Sequence, residues 1–382
     1  MSKQKSKSWA AIYLTFLMLI STSATAVETT VPSESTTLPP KFIYYAKSTK
    51  LAGPGLILVD PSTNTTLYDE ASTVPRAPAS VFKLISTFSA LKYLGSDFKF
   101  TTKIFKTAVT NTYVLDGDMD PWLTSDIKLA KANEQRYLPS LISKANKSKA
   151  KSITIEHTGV FTRDLKNLTK YLKVRHINVK FRELTPAAAT ARATEEIGVL
   201  QSVPVSKMVT FSILWSDNQL ADRLARAAAR VKYGASDQLA LQNTFVAALS
   251  EYGINVIGLN AIDGSGLSRE NKVSARTIVE VLMQIRKDPL FAPIYEGLPI
   301  SGKTGTLKNR FITTAPHAVG LVHAKTGFIN TTVSLAGFVT VGAKEYVFAV
   351  IADNLEPKLV ARNRARETID LMLGTITQPA IP

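Results

Sequence analysis

The chain contains no cysteine. That excludes disulfide scaffolds, thiol nucleophiles, zinc–thiolate and iron–sulfur sites, and lipid attachment through a thiol. Histidine is scarce: His157, His176, His317 and His323 are the four in 382 residues, and no His-Glu-x-x-His occurs. A zinc hydrolase of that type is therefore excluded. Acidic residues are outnumbered, 30 Asp and Glu against 46 Lys and Arg, for a formal net charge of +16. There is no internal repeat. The apolar run at 9–20 has twelve residues, too few to span a bilayer comfortably. With 45% apolar and 20% charged residues, the chain has a globular composition.

The N-terminus reads as a secretory signal over 1–26. Lys3, Lys5 and Lys7 precede the apolar run, and Ala24-Thr25-Ala26 supplies the small residues of a cleavage site. The alternative is an uncleaved membrane anchor. Residues 27–40, rich in Ser, Thr and Pro, read as a flexible leader. An exported protein, periplasmic or extracellular, with this charge favours an anionic surface: wall polymer, membrane face or nucleic acid. Nucleic acid is disfavoured outside the cell, and the basic residues are scattered rather than striped with aromatics.

Apolar 56–59, a turn at 60–64 and 65–68 read as a β-hairpin. Residues 79–94 read as an amphipathic helix, with Val81, Leu84, Ile85, Phe88, Leu91 and Leu94 on one face and Gly95 ending it. From 101 to about 200 the pattern is less regular, mixing β-like runs at 104–115 and 152–156 with basic helical stretches. Helices are expected at 205–215, 219–231 and 237–251, strands at 333–341 and 346–352, and a final helix at 357–373.

Three short motifs carry possible chemistry. Ser-x-x-Lys occurs at Ser2, Ser80, Ser89, Ser96, Ser125 and Ser148, but only Ser80 opens a long amphipathic helix. Ser80 and Lys83, three apart, share a helix face. The free N–H groups of a helix start favour a developing negative charge. A lysine whose charge is disfavoured can act as general base; the alternative is that Ser80 merely caps the helix. Ser216-Asp217-Asn218 lies between two helices, where Ser216 and Gln219 also fit a capping box. Lys-Thr-Gly occurs twice, at Lys303 and at Lys325.

The earlier copy also completes a phosphate-loop pattern, Gly297-x-x-x-x-Gly302-Lys303-Thr304, with the apolar run ending in Asp353 as a possible magnesium-binding strand. The required preceding strand is broken by Pro289 and Pro293, the following helix is replaced by turn-like 305–309, and only 78 residues follow Thr304. A nucleotide hydrolase is set aside on these grounds.

Taken in order, the motifs resemble those of the serine penicillin-binding and β-lactamase superfamily. More narrowly, they resemble the class C low-molecular-mass penicillin-binding proteins, the D-alanyl-D-alanine carboxypeptidase/endopeptidase family. The resemblance rests on 76–84 around Ser80, on 216–224 with Asp222 where a Glu is usual, and on Asp263-Gly264-Ser265-Gly266-Leu267-Ser268-Arg269 with Asn271. It also rests on Gly305-Thr306-Leu307-Lys308-Asn309-Arg310 ahead of Lys325-Thr326-Gly327. That order makes Lys325, at the start of an apolar strand, the active-site copy. Residues 116–121 match an insertion motif only imperfectly.

The resemblance implies an α/β fold: an antiparallel sheet flanked by helices, a helical lobe carrying Ser216, and an inserted subdomain. The implied division is 41–100 with 190–382 as the penicillin-binding domain and 101–189 as the insertion. It further implies acyl transfer on D-alanyl-D-alanine ends or cross-links of peptidoglycan stem peptides. Ser80 would be the nucleophile, Lys83 its base, and Ser216 with Lys325 the proton path to the leaving amine. Asn218, Thr326, Gly327 and Phe328 would bind substrate, the N–H groups of Ser80 and Phe328 forming the oxyanion hole. Phe328 stands where the family usually has Ser or Thr. β-Lactams would acylate Ser80; no metal, organic cofactor, nucleotide or nucleic acid is implied. The alternatives are a non-catalytic wall-binding or β-lactam-sensing protein, or a β-lactamase or esterase. Glu251, four residues before Asn255, has the spacing of a deacylating glutamate, although Gly253 reads as a helix C-cap.

Overall fold

Residues 38–377 are described by the computed structural model. The signal at 1–26 and the leader up to residue 37 lie outside the described residues. A short helix α1 (Pro40–Ala46) leads into the hairpin β1 (Gly55–Asp60) and β2 (Thr65–Glu70), then into α2 (Lys83–Leu94). Next come β3 (Thr101–Lys106), β4 (Thr112–Gly117), the two-residue strands β5 (Leu123–Thr124) and β6 (Arg136–Tyr137), and the intervening α3 (Ile127–Asn133). After α4 (Pro139–Ala145) follow β7 (Ser152–Thr158), α5 (Thr162–Lys173), β8 (Asn178–Glu183), α6 (Pro186–Arg192) and β9 (Glu196–Gln201). The helical stretch comprises α7 (Val205–Trp215), α8 (Asn218–Tyr233), α9 (Gln238–Ser250), α10 (Ala275–Lys287) and α11 (Ala292–Glu296). The chain closes with β10 (Val322–Ile329), β11 (Thr332–Val341), β12 (Lys344–Ala352) and α12 (Leu359–Ile376).

The main sheet is antiparallel throughout, in the order β10-β11-β12-β1-β2. Both faces of β1 are covered. Ile57 and Val59 enter a core shared with α2 and α7–α10, while Leu56 and Leu58 enter a second core with α1 and α12. That is why β1 reads as a continuous apolar run rather than an alternation. β12 divides in the same way: Val347, Ala349 and Ile351 face the first core, Phe348, Val350 and Ala352 the second.

Helix α2 differs from its sequence pattern. It is buried on every side from Lys83 to Leu91, because it runs between the main sheet and the helical lobe. Two of its small polar residues are satisfied internally: Thr87 Oγ1 donates to the Lys83 carbonyl and Ser86 Oγ to the Gly264 carbonyl, whereas the buried Ser89 hydroxyl has no partner among the described residues.

The stretch with the weakest pattern forms a second sheet, ordered β8-β7-β4-β3-β9. The run at 104–115 is two strands with a turn, and β4, β7 and β8 are parallel. Helix α5 is the crossover between β7 and β8 that a parallel pair requires.

Candidate active site

The first functional segment is pinned to the end of the main sheet. Asp353, just past β12, accepts from Arg76 Nη1 at 2.9 Å and from the Ala77 backbone N–H at 3.0 Å. Asp353 thus has a structural partner in the fold. Ser80 follows in a 3₁₀ turn, Ala79–Phe82, that feeds α2. Ala79 holds a left-handed φ of 49°, a conformation that costs a Cβ-bearing residue about 1–2 kcal/mol. Two glycines enclose it. A Cβ on Gly266 would lie 2.0 Å from the Ala79 carbonyl oxygen, and one on Gly327 would lie 2.7 Å from that of Pro78. Ser334 Oγ donates to the Pro78 carbonyl at 2.6 Å.

Gly266→Ala is accordingly expected to cost about 1–3 kcal/mol from its left-handed backbone alone, since its φ is 81°. It should also displace the Ala79 turn. Urea unfolding measures the first effect, and the rate of Ser80 acylation by penicillin the second.

Ser80 does not cap the helix. Its Oγ lies 2.8 Å from Lys83 Nζ. Lys83 is fully buried, and its Nζ also donates to Asn218 Oδ1 and to the Ser265 carbonyl, both at 2.6 Å. Burial pulls the Lys83 pKa down to about 7, with the carboxylates of Asp263 and Asp217 opposing that shift. A neutral amine has two N–H groups and one lone pair. Asn218 Oδ1 and the Ser265 carbonyl can only accept, so they use both N–H groups. The lone pair is left facing the Ser80 hydroxyl.

The second motif is arranged by its middle residue. Asp217 caps α8 by accepting from the Leu220 N–H at 2.9 Å. The capping box expected of Ser216 is absent, because Ser216 sits in a left-handed conformation (φ 59°) at the end of α7. Its hydroxyl accepts from Lys325 Nζ at 2.9 Å. Lys325 is fully buried and also donates to the Thr326 carbonyl. Burial, then the nearby Lys83 charge, holds its pKa well below the ordinary lysine value.

Successive residues of β10 alternate faces. Lys325 and Gly327 point towards Ser216 and the Ala79 turn, and Thr326 and Phe328 point the other way. Thr326 Oγ1 is 2.7 Å from Thr306 Oγ1. The Phe328 ring carries the guanidinium groups of Arg362 and Arg366, at 4.5 and 3.9 Å from its centroid. Arg310 is paired instead with Asp370 of α12. Ser80, Lys83, Ser216, Asn218 and Lys325 thus share one cluster, with Gly327 packed against its turn.

One contributor was not predicted: the Ser265 carbonyl on Lys83. It is placed by Asp263, whose Oδ1 accepts from Ser265 N, Ser265 Oγ and Gly266 N at 2.7–2.8 Å, and whose Oδ2 accepts from Ser268 N at 2.9 Å. Burial works to raise the Asp263 pKa, but these hydrogen bonds outweigh it and keep the carboxyl below its ordinary value. Asn271 Oδ1 ties the turn down through Ile262 N, and Asp222 Oδ1 accepts from Gly264 N. The density of Asp, Gly, Ser and Asn at 263–271 was visible in sequence, but not the direction of one carbonyl.

The competing motifs lie elsewhere. Lys303 is exposed in a turn followed only by the three-residue 3₁₀ helix Gly305–Leu307. Glu251 pairs with Lys92 at 2.7 Å, and Lys92 is nine residues along α2 from Lys83, about 13 Å at 1.5 Å per residue.

A sheet flanked by helices, with a helix-borne serine, a buried lysine one turn on, and a second Ser–Lys pair bridging lobe and sheet, defines the penicillin-binding and β-lactamase-like class. The chain belongs to the D-Ala-D-Ala carboxypeptidase 3 (S13) family, whose profile matches residues 45–160 and 139–375. It is a serine-type peptidase of that family. It is 26% identical over 368 residues to Carboxypeptidase DacB of Mycolicibacterium smegmatis, covering 82% of this chain and 80% of that protein. Penicillin binding protein 4 (dacB) from Haemophilus influenzae has the same fold, with a TM-score of 0.69, 19% identity, and coverage of 85% of this chain and 98% of that one. The Bd3459 predatory peptidoglycan endopeptidase from Bdellovibrio bacteriovorus aligns with a TM-score of 0.56 at 19% identity, over 78% of this chain and 85% of that one.

Proposed function

We propose that the protein is an exported DD-peptidase that cleaves D-alanyl-D-alanine ends or D-alanyl cross-links of peptidoglycan through an acyl-enzyme on Ser80. The observation that carries this reading is the Lys83 amine, with two acceptor-only partners and its third position on Ser80 Oγ. Lys83 takes the Ser80 proton as Oγ bonds to the carbonyl carbon, and the backbone N–H groups of Ser80 and Phe328 receive the oxyanion. Ser216, fed by Lys325, passes a proton to the departing amine as the C–N bond breaks. Asn218 gives its Oδ1 to Lys83 and keeps its NH₂ for the acyl-side carbonyl of the substrate. Lys325 meets the leaving-side carboxylate, and Thr326 and Phe328, whose side chains lie on the other face of β10, line the substrate with backbone only. Water then releases the acyl group.

β-Lactams enter the same path and stop at the acyl-enzyme. Among the described residues, no Asp or Glu oxygen is hydrogen-bonded to Ser80, Lys83, Ser216 or Lys325, which favours slow release of the acyl group. The domain division that fits this reading keeps 41–100 and 190–382 as the catalytic domain around the insertion at 101–189, with β9 completing the insertion's sheet from beyond it.

The test is peptide mapping after penicillin labelling, with mass spectrometry of muropeptide digests. The adduct is expected on Ser80, with loss of a terminal D-alanine or opening of a cross-link. An adduct on Ser89 or Ser265, or undiminished labelling of Ser80→Ala, refutes the assignment.

A further inference from the structure

The second sheet has two chemically different ends. At the ends of β4 and β7 it meets the helical lobe, where Asp164 of α5 pairs with Arg223 of α8 at 3.0 Å. At the other end, three loops come together. Asn111 precedes β4 and its carbonyl accepts from the Thr154 N–H; the Lys151 carbonyl accepts from the Asn178 N–H; and residues 174–177 turn back from α5 into β8. β7 has seven residues, so this end lies about 20 Å along the sheet from the helical lobe at 3.3 Å per residue.

This far end is strongly basic. The segments 144–155 and 165–182 hold ten Lys and Arg and no Asp or Glu. Lys147, Lys149, Lys151, Lys173 and Arg175 are exposed at the tip, and none of them is in an ion pair among the described residues. Arg175 is held in place by Tyr171, its guanidinium 3.6 Å from the ring centroid. Val174, between Lys173 and Arg175, projects among these cations at 76% exposure, and Val109 projects at 54% from the β3–β4 turn at the same end of the sheet, next to the Lys106–Glu195 pair. Isolated exposed valines are ordinary; one set between two unpaired cations, with a second at the same end of the sheet, is not. A hydrated polyanion offers nothing to a bare valine. A bilayer bearing anionic lipid offers charge to the lysines and an acyl boundary to the valines.

We propose that this tip is a docking surface for the face of an anionic lipid bilayer. The proposal stands independently of the peptidase reading.

The experiment compares the full chain with a variant carrying Lys147→Gln, Lys149→Gln, Lys151→Gln, Lys173→Gln and Arg175→Gln. Sedimentation measures partitioning onto phosphatidylcholine vesicles with and without phosphatidylglycerol, at low and high salt. The N-terminal apolar run is common to both proteins and cancels in the difference between vesicle types. Each cation removed should weaken the anionic increment about fivefold, and the five together at least a hundredfold, with an unchanged circular dichroism spectrum and thermal melt as the folding control. Because the chain has no cysteine, Val174→Cys takes a single polarity-sensitive dye, whose emission should shift to the blue on anionic vesicles only. The proposal is overturned if the increment survives in the variant or is absent from the parent chain. It is also overturned if the dye stays in water, or if soluble poly(glycerol phosphate) binds the tip more tightly than the vesicles do.

Discussion

Replacing Lys83 by Met should lower the rate of Ser80 acylation by about 10²–10⁴-fold, the range lost when a positioned general base is removed. The protein should remain folded. Lys83 is fully buried, and Met fills a similar volume without a charge to desolvate. The pH profile tests the same assignment. With the Lys83 pKa drawn down to about 7, acylation by the parent enzyme should rise with pH through about 7 as the amine loses its proton. The variant should be flat there. Stability has its own sign. Between about 7 and the ordinary lysine range the unfolded chain carries a proton on Lys83 that the native chain has released. This group therefore makes the native state more stable as pH rises across that window. A Lys83→Met protein that acylates normally, or that keeps the rise near pH 7, excludes Lys83 as the base.

The second large effect separates the two Lys-Thr-Gly copies. Lys325→Ala should lose about 2–4 kcal/mol of transition-state stabilisation, by analogy with a lost oxyanion donor, or roughly 30- to 1000-fold in acylation rate. Lys303→Ala should acylate like the parent and change stability by less than about 0.5 kcal/mol, as surface substitutions usually do. The geometry gives the reason. Lys325 Nζ bridges Ser216 Oγ and the Thr326 carbonyl from a strand paired along its whole length with β11, whereas Lys303 is exposed in a turn. Second-order acylation rates with penicillin, after circular dichroism of each variant, decide it. If the Lys303 variant is the impaired one, the assignment is reversed.

The parts legible in sequence were those in which residue type and local period coincide. The hairpin at 55–70, the three helices after residue 205 and the closing strands lie close to where their patterns placed them. Lys325 is preferred over Lys303 on the order of the motifs in the resemblance, with which its place on a strand agrees. What was not legible depends on direction or on distant partners. That Asp217 rather than Ser216 caps α8 turns on one left-handed residue, and sequence offers both side chains equally. The Ser265 carbonyl is a backbone group, so no residue type announces it. The strands of the second sheet were obscured because β8 is an exposed edge with apolar residues at alternate positions only, set within a basic run. The full enclosure of α2 arises from two layers far apart in the chain.

The pairing of β1 with β12 sets the order in which the protein can be assembled. Gly55 lies opposite Ile351, so the central strands of the main sheet come from opposite ends of the polypeptide. A growing or translocating chain holds β1 for nearly its whole length without the neighbour that covers its hydrogen-bonding edge. The second sheet draws all its strands from within 101–201 and can close while the catalytic half is still unpaired. Non-local pairing of this kind slows folding, because the loop must be closed before contacts repay it. Ser80 and Lys83 meet within one turn, but Lys325 is brought to them only through strands that depend on the late pairing of β12 with β1, so a chain shortened before residue 344 should retain the motifs without a site.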